Sequence, residues 1–320
     1  MKNQISIIIP MYNASSYVEG CLSGIFNQTV NDFEVILVDD CSTDDTVEKV
    51  KNYPFKIILL KERLMSSAVR NLGARNSHGD IFIFLDADVV LKPDSIENIT
   101  RLISEPDTDA VSGVYSKDIP QTNFLSQLQN LILVYRCSRL SNSTSITISA
   151  FCAIKRSAFE AIGGYNERMR YYEDVEIGHR LNKNGYHCKF YAGLEVVHLK
   201  YYNHLGLMRD YFRKAAAMSN YVKCGNSVRK FRGNGWPLSL KIASISNGCI
   251  FISIGLIKVT PIPFLIFLSI YSISITPLLL YLSKARSLVF ALKSYFALFE
   301  VLLFSVSGVV WGILRYGKND

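Results

Sequence analysis

Short apolar runs alternate with longer amphipathic stretches along the first part of the chain. The apolar runs lie at residues 5–9, 33–38, 56–60 and 81–85. The amphipathic stretches lie at 17–27 and 66–76, and a further helix is predicted to run through Val47 and Val50 after an Asp44 or Asp45 cap. Runs rich in β-branched and aromatic residues are typical of strands buried on both faces of a parallel sheet. Strands that alternate with helices predict an α/β fold with a mostly parallel sheet flanked by helices, and we expect Pro10 to end the first strand.

The same alternation continues to about residue 200. It predicts helices at 95–104, 121–140 and 157–162 and from Glu173 onward, strands at 109–114 and 145–154, and two short strands between Tyr186 and Val197, on either side of Ala192-Gly193. We therefore expect one α/β domain over residues 1–200, in which the helix at 121–140 is core or a wall of an acceptor site.

Acidic pairs follow two of the predicted strands. Asp39 and Asp40 come after the second strand, and Asp86 and Asp88 come after the run 81–85. Alternation along a strand turns Asp86 and Asp88 to one side, at the sheet edge where ligands bind in open α/β folds. Carboxylates there favour a hard divalent cation, and the cation favours a diphosphate. Solvated strand ends, turns and helix caps are the alternative interpretation of both pairs.

Five motifs in this order resemble glycosyltransferase family 2. They are Pro10-x-Tyr12-Asn13, Val38-Asp39-Asp40-x-Ser42-Thr43-Asp44, Arg70-Asn71-x-Gly73, Gly79-Asp80 and Leu85-Asp86-Ala87-Asp88. The resemblance implies a GT-A fold, a nucleotide-sugar donor and inversion at the anomeric carbon. It also implies donor-binding residues, which are Pro10, Tyr12, Asn13, Asp39, Asp40, Ser42, Arg70, Asn71, Asp86 and Ala87. For Arg70 a solvated helix face is the alternative.

A divalent metal, Mg²⁺ or Mn²⁺, is implied by the same resemblance. Asp88 would hold it, with Asp86 and His198 as further ligands. A metal held by carboxylates offsets the negative charge that develops on a departing nucleoside diphosphate. A strand-end histidine satisfied by the backbone is the alternative interpretation of His198.

A third acidic pair follows the glycine turn Gly163-Gly164. Glu173 and Asp174 resemble the acidic pair of the family, in which the aspartate is the general base, so we expect Asp174 to be the base and Glu173 its support. Inverting transfer requires a base for an attacking hydroxyl, whereas a phosphate acceptor is already ionised. The pair therefore favours a hydroxyl acceptor. Electrostatic capping of a helix N-terminus is the alternative.

The chain changes character after residue 200. Residues 201–232 mix aromatic residues with Lys and Arg at helical spacing, which is typical of helices in a membrane interface. Apolar stretches at 239–257, 262–282 and 288–314 predict two to three membrane spans, and Lys293 and Glu300 lie near one face of the last. The positive-inside rule places the catalytic part in the cytoplasm. Glycines and Pro237 predict a linker around 225–238.

The composition argues against several classes of partner and site. The formal net charge is +8, and with no nucleic-acid-binding motif we assign the basic residues to a membrane surface. Seven scattered cysteines without a Cys-x-x-Cys pair argue against a zinc site or a disulfide framework, and the N-terminus shows no cleavable signal pattern.

The hypothesis from the sequence is a multi-pass, membrane-anchored inverting glycosyltransferase that acts on a lipid-linked or cell-surface glycan. Its parts are a catalytic domain at 1–200, interfacial helices and linker at 201–238, and spans at 239–314. A polyprenyl-phosphate monosaccharide synthase and a non-catalytic nucleotide-sugar-binding membrane protein are the competing hypotheses.

Overall fold

A computed structural model describes residues 5–140, 150–223, 237–257 and 260–316 of the chain. The chain forms two compact units. The first comprises Met1–Gln121 and Leu140–Lys200, and the second comprises Thr122–Arg139 and Tyr201–Asp320. The division by function at 1–200, 201–238 and 239–314 stays a prediction.

The described part of the first unit is built on an eight-stranded sheet. Its strands are β1 Ile5–Met11, β2 Phe33–Asp39, β3 Lys56–Leu59, β4 Ile81–Leu85, β5 Val89–Leu91, β6 Ala110–Tyr115, β7 Phe151–Lys155 and β8 Cys188–His198. The order across the sheet is β3-β2-β1-β4-β7-β6-β8-β5. The four strands from β3 to β4 are parallel, and β7 and β5 are antiparallel to their neighbours. The α/β fold with a mostly parallel sheet is therefore confirmed.

Helices cover both faces of the sheet in this unit. They are α1 Val18–Phe26, α2 Thr46–Val50, α3 Ser66–Arg75, α4 Ser95–Ile103, α6 Arg156–Ala161 and α7 Glu173–Lys183. Side chains alternate between two cores, because successive strand residues point to opposite faces. Ile7 shares a core with Leu22 of α1, whereas Ile8 and Phe84 share a core with Phe159 of α6. The continuous apolar runs therefore reflect strands buried on both sides.

The first strand is longer than predicted, because Pro10 does not end it. Pro10 pairs with Val38 and Met11 pairs with Asp39, whereas pairing with β4 stops at Ile8. Pro10 thus lies where β1 has a neighbour on one side only, and proline is tolerated there because it need not donate to a second strand. The start of the strand predicted at 145–154 lies outside the described residues, and β7 begins at Phe151.

The prediction of two short strands around Ala192-Gly193 is wrong, because β8 is continuous from Cys188 to His198. The pairing, however, breaks at this point. β6 advances only from Ser112 to Val114 while β8 advances from Phe190 to Glu195. The backbones come close at the break, where a Cβ on Gly113 would lie 2.0 Å from the carbonyl oxygen of Leu194. Ala192-Gly193 therefore marks a bulge within one strand and not a loop between two strands.

The second unit is helical in its described part. It contains α5 Phe124–Cys137, α8 His204–Lys223, α9 Leu238–Ser253, α10 Ile262–Ala285 and α11 Leu288–Tyr316. Two helices are long and apolar enough to cross a membrane, Ile262–Ala285 and Leu288–Arg315. The stretch 239–257, predicted as a span, instead forms the 16-residue α9 and a 3-10 turn over Ile254–Leu256. A helix of that length falls short of about 20 residues, the usual requirement for a span.

Part of the predicted interfacial segment packs inside the second unit. Leu207, Met208 and Tyr211 of α8 are buried in a cluster with Val301 of α11. Residues 224–236, with the rest of the basic segment and most of the predicted linker, lie outside the described residues. The membrane role of α8 stays a prediction.

Lys293 and Glu300 of α11 do not pair with each other. Glu300 instead lies 2.8 Å from Nε2 of His204, and Lys293 is exposed.

Replacing Gly113 by alanine should destabilise the sheet, because the added Cβ collides with the backbone of Leu194. Overpacking of this kind costs roughly 2 kcal/mol. Gly193 is the matched control in the same bulge, since a Cβ there meets nothing within 4 Å. We expect thermal unfolding in detergent to show a lower Tm for Gly113→Ala and little change for Gly193→Ala. Equal Tm values for the two variants would contradict this account of the bulge.

Candidate active site

The carboxyl ends of β2, β1 and β4 meet at one edge of the sheet. These three strands are neighbours and run parallel. Asp39 is the last residue of β2, and Asp40, Tyr12 and Asp86 come directly after the three strands. The structure thus brings together the acidic pairs that the sequence analysis placed after separate strands.

Asp86, Ala87 and Asp88 form a tight turn, so strand alternation does not place the two carboxylates. The strand ends at Leu85, and the amide of Val89 donates to the carbonyl of Asp86 over 3.1 Å. The chain then enters β5, and the amide of Leu199 donates to the carbonyl of Asp88 over 2.7 Å. The turn sends the two side chains toward different partners.

Asp88 faces His198. Because Val89 pairs with His198 in the antiparallel β5–β8 ladder, Nε2 of His198 lies 3.7 Å from Oδ2 of Asp88. The histidine is buried, and its ring lies 4.9 Å from that of Tyr115. Burial alone would raise the pKa of Asp88, but His198 and Lys200 lower it below its usual value. Asp88 is therefore held as a carboxylate.

Asp88 and His198 fit a divalent cation that also binds the substrate. Atoms 3.7 Å apart can both reach a metal at ordinary ligand distances of about 2.0–2.2 Å. The described residues contain no group of three His, Cys, Asp or Glu side chains placed to hold a metal. Mg²⁺ is commonly held by one or two carboxylates together with substrate phosphates, which suits such a small protein ligand set.

Asp86 is held by Arg70 on α3. Nη2 of Arg70 donates to Oδ1 of Asp86 over 2.6 Å, and Nη1 donates to Oε1 of Glu173 over 3.1 Å. Arg70 is only 2% exposed, so it does not lie on a solvated helix face. Burial opposes its charge, but Asp86 and Glu173 raise the pKa of Arg70 above its usual value. One guanidinium thus joins the turn after β4 to the start of α7.

The two members of the pair Glu173-Asp174 have different surroundings. Glu173 is buried and accepts from Arg70 and, over 3.5 Å, from Ser66. Asp174 is half-buried, and its Oδ1 accepts from the amide of Val175 over 2.8 Å. Both lie in the first turn of α7, after Tyr172 with a positive φ of 64°. Asp174 therefore keeps access to solvent, while Glu173 holds Arg70.

The loops after β1 and β2 are joined by a short hydrogen-bonded chain. Oδ1 of Asp39 accepts from the hydroxyl of Ser42 over 2.5 Å, and Oδ2 accepts from the Ser42 amide over 2.9 Å. Oγ of Ser42 accepts from the amide of Asn13 over 2.9 Å. Oδ1 of Asn13 in turn accepts from the amide of Thr43 over 2.8 Å. These residues shape the edge of the site.

Asp40 holds the segment that precedes α3. Its two carboxylate oxygens accept from the amides of Leu64 and Met65 over 2.7 and 3.1 Å. Met65 has a positive φ of 81°, and Asp40 is buried. Asp40 therefore fixes a strained turn beside the site, and each oxygen retains a lone pair for a ligand donor.

Arg63 is a site residue that the sequence analysis missed. Its guanidinium carbon lies 3.4 Å from the ring centroid of Tyr12, and its Nε lies 3.6 Å from Oδ2 of Asp40. Tyr12 is 40% exposed, so the ring remains open to a ligand. No short motif marks Arg63, because a lone arginine after a strand resembles an ordinary loop cation.

Asn71 anchors the glycine turn. Its Oδ1 accepts from the amide of Tyr165 and its Nδ2 donates to the carbonyl of Tyr165, each over 2.8 Å. Nδ2 also donates to Glu167 over 2.9 Å. A Cβ on Gly164 would lie 2.7 Å from Oδ1 of Asn71, and Gly164 has a φ of +71°. The turn therefore needs glycine for its conformation and for this close contact.

The remaining predicted residues lie on the same edge without a specific side-chain contact. Pro10 is half-buried near the end of β1, and Ala87 is buried within the turn after β4. The roles proposed for all of these side chains in donor binding and catalysis stay predictions.

Replacing Arg70 by glutamine should destabilise the first unit strongly. The change leaves Asp86 and Glu173 without their shared cation, and breaking a buried ion pair from one side costs about 3–5 kcal/mol. Arg75→Gln is the matched control on the same helix, because Arg75 is 61% exposed and lies 3.7 Å from Glu167. We expect thermal unfolding to show a marked fall in Tm only for Arg70→Gln. A similar small shift in both variants would show that the bridge adds no stability.

Proteins similar to this chain are glycosyltransferases. Residues 6–163 match the family model described as Glycosyl transferase family 2. The chain is 27% identical over 242 residues to an uncharacterized glycosyltransferase of Haemophilus influenzae, which covers 71% of this chain and 80% of that relative. It is 29% identical over 222 residues to the O-antigen chain rhamnosyltransferase RfbN of Salmonella typhimurium, covering 65% and 70% respectively. Other curated relatives are matched over 17% to 65% of their own length.

A solved structure shares the fold. The mannosyltransferase PcManGT from Pyrobaculum calidifontis, solved in complex with GDP-Man and Mn²⁺, superposes with a TM-score of 0.63 at 18% identity. The match covers 100% of this chain and 89% of that one. At this level of identity the similarity supports the GT-A type of fold. The matched model and the glycosyltransferase relatives therefore identify residues 6–163 as a glycosyltransferase family 2 domain, and the shared fold agrees with this.

Proposed function

We propose that the protein is a metal-dependent inverting glycosyltransferase that moves a sugar from a nucleoside-diphosphate donor to a hydroxyl of a glycan acceptor. The observation that carries the proposal is the ion-pair chain from Asp86 through Arg70 to Glu173. These two ion pairs connect the edge of the sheet that would hold the donor with the helix that carries Asp174.

The donor is bound by its nucleobase and its diphosphate. The Tyr12 ring, which is 40% exposed, offers a stacking surface, and the Arg63 guanidinium over the ring adds a cation. Asp40 and Asp39 offer carboxylate oxygens to the ring N–H of a base. The mannosyltransferase with the same fold was solved with GDP-Man, which supports a nucleoside-diphosphate donor for this chain.

Asp88 and His198 would hold a divalent metal on the diphosphate. A metal there acts as a Lewis acid that stabilises the negative charge of the leaving group. Mn²⁺ in the structure with the same fold supports this role. Asp86 keeps its Oδ1 on Arg70, so it orients the guanidinium and is a weaker candidate as a ligand.

Asp174 removes the proton from the attacking hydroxyl. It is the member of the acidic pair that remains accessible, and a base must lie within hydrogen-bond reach of the proton it abstracts. A single displacement at the anomeric carbon then inverts its configuration. Glu173 contributes by holding Arg70, and it is a positioning residue in this scheme.

The acceptor is a lipid-linked or cell-surface glycan at the cytoplasmic face of the membrane. The two long apolar helices support membrane attachment. The second unit also carries 16 Lys and Arg residues but only 3 Asp and Glu residues. The first unit carries 19 Lys and Arg residues and 24 Asp and Glu residues. Cationic residues beside apolar spans favour the anionic cytoplasmic surface. The O-antigen relative supports a glycan acceptor.

Asp88→Asn and Asp174→Asn should each abolish most sugar transfer to a hydroxyl. We expect nucleoside diphosphate release, measured in native-like membranes with a panel of nucleotide sugars and metals, to fall at least about 100-fold in both variants. Asp94→Asn is the control, because Asp94 is an exposed acid before α4. Its activity should equal that of the wild type.

The pattern of loss discriminates the competing functions. Loss in Asp88→Asn with full activity in Asp174→Asn would indicate a phosphate acceptor, as in a polyprenyl-phosphate monosaccharide synthase. No release from any donor in the presence of membrane lipid would indicate a non-catalytic nucleotide-sugar-binding protein.

Tyr12→Ala should weaken donor binding with little effect on the chemical step. Stacking of a base on an aromatic ring contributes roughly 1–3 kcal/mol, so we expect the KM for the donor to rise about tenfold while kcat is retained. Tyr12→Phe keeps the ring and should behave like the wild type. An unchanged KM for the donor in Tyr12→Ala would show that this ring does not bind the base.

A further inference from the structure

Two exposed arginines precede the proposed base along the chain. Arg168 and Arg170 lie on either side of the buried Met169, in the segment 166–172 that connects the glycine turn to α7. They come six and four residues before Asp174. The proposed transfer reaction gives these two cations no role.

The segment is attached to α3 at two points. The carbonyl of Met169 accepts from the hydroxyl of Ser67 over 3.2 Å, and Glu173 accepts from Arg70 over 3.1 Å. Ser67 and Arg70 are three residues apart, so they lie on one side of α3, about one helical turn from each other. The segment is therefore held in place against α3, and its exposed arginines have a defined position just before α7.

The acids near these arginines are engaged elsewhere. Three glutamates accept hydrogen bonds from other side chains over 2.7–3.1 Å: Glu167 from Asn71, Glu173 from Arg70, and Glu176 from Arg180. In the part of the chain that the structure describes, no carboxylate forms an ion pair with Arg168 or Arg170. Both guanidinium groups are therefore available to an anionic ligand.

The two arginines also differ in charge from the unit that carries them. The first unit contains 19 Lys and Arg residues and 24 Asp and Glu residues, so its surface as a whole does not attract anions. The guanidinium carbon of Arg170 lies 5.9 Å from the ring centroid of Tyr171, which is half-buried. This ring adds apolar surface next to the local positive charge.

We propose that Arg168 and Arg170 bind an anionic group of the acceptor, so that the acceptor is an acidic glycan with a phosphate or a carboxylate near its attacking hydroxyl. The inference rests on the proposed function, because Asp174 as the base defines where that hydroxyl lies. Guanidinium groups bind phosphate and carboxylate alike through paired, charged hydrogen bonds. Binding of the anion involves no covalent change.

The first test measures binding without a donor, so its result does not require transfer activity. The probes are methyl glucoside, methyl glucuronide and a phosphorylated methyl glucoside, with inorganic phosphate as a competitor. They are added to the full-length protein in nanodiscs of zwitterionic lipid, and binding is followed by saturation-transfer NMR. We expect both acidic glycosides to bind at least about tenfold more tightly than the neutral one. A preference for either acidic glycoside supports the proposal and identifies the anionic group.

Charge variants separate a specific site from general attraction. The double variant Arg168→Gln/Arg170→Gln should lose the preference for acidic glycosides. Arg101→Gln/Lys183→Gln is the matched control, because it removes the same charge from exposed positions on α4 and at the end of α7. It should change the preference by no more than about twofold. An equal loss in the two double variants would overturn the proposal in favour of diffuse attraction.

A conservative variant separates the charge of these side chains from a structural role. Arg168→Lys/Arg170→Lys keeps both charges and should retain most of the preference for acidic glycosides. Because the two arginines are exposed, we expect the glutamine and lysine variants to unfold at the Tm of the wild type. Loss of the preference in the lysine variant, together with a lower Tm, would indicate a structural role and overturn the proposal.

The second test measures nucleoside diphosphate release in native-like membranes. Arg168→Gln/Arg170→Gln should lower release at limiting acceptor about tenfold and leave the KM for the donor within about twofold. A raised KM for the donor would place the arginines on the donor diphosphate, and displacement of the acidic glycosides by equimolar inorganic phosphate would indicate a site for a free anion. Either result overturns the proposal. A wild type that releases no nucleoside diphosphate would refute the proposed function, whereas release without any preference among the glycosides would refute this inference alone.

Discussion

The first unit depends on one buried guanidinium. Arg70 is shared by Asp86 and Glu173, which lie 16 and 103 residues away along the chain. A charge that deep in the protein is tolerable only when its partners stay in place. The turn after β4 and the first turn of α7 are therefore fixed by the same side chain. The positions of the donor edge and of the proposed base are coupled through it.

The main features of the sheet are predictable because they depend on local pattern. Apolar runs indicated β1, β2 and β4, and the rule that ligands bind at the carboxyl ends of parallel strands placed Asp39, Asp40 and Asp86 on one edge. The resemblance to glycosyltransferase family 2 rested on the same residues, and the family match over residues 6–163 confirms it.

The features that sequence reasoning missed depend on distant partners. The resemblance named Arg70 as a donor-binding residue, but its contacts with Asp86 and Glu173 do not follow from the sequence. Arg63 resembles a loop cation until Tyr12 is found beneath it. The length of the apolar stretch at 239–257 indicated a span, but α9 ends at Ser253. In each case residue type is visible in the sequence, whereas the three-dimensional neighbour or the helix end is not.

Backbone strain is concentrated around the candidate site. Five non-glycine residues have positive φ in the described part of the chain, and Asn13, Cys41, Met65 and Tyr172 lie in segments that border this site. Conformations of this kind cost about 1–3 kcal/mol each and persist only where the surroundings enforce them. Stability and activity are therefore opposed here. Selection for thermostability alone would favour relaxed replacements at these loop positions, and it would do so at the expense of the geometry that the reaction requires.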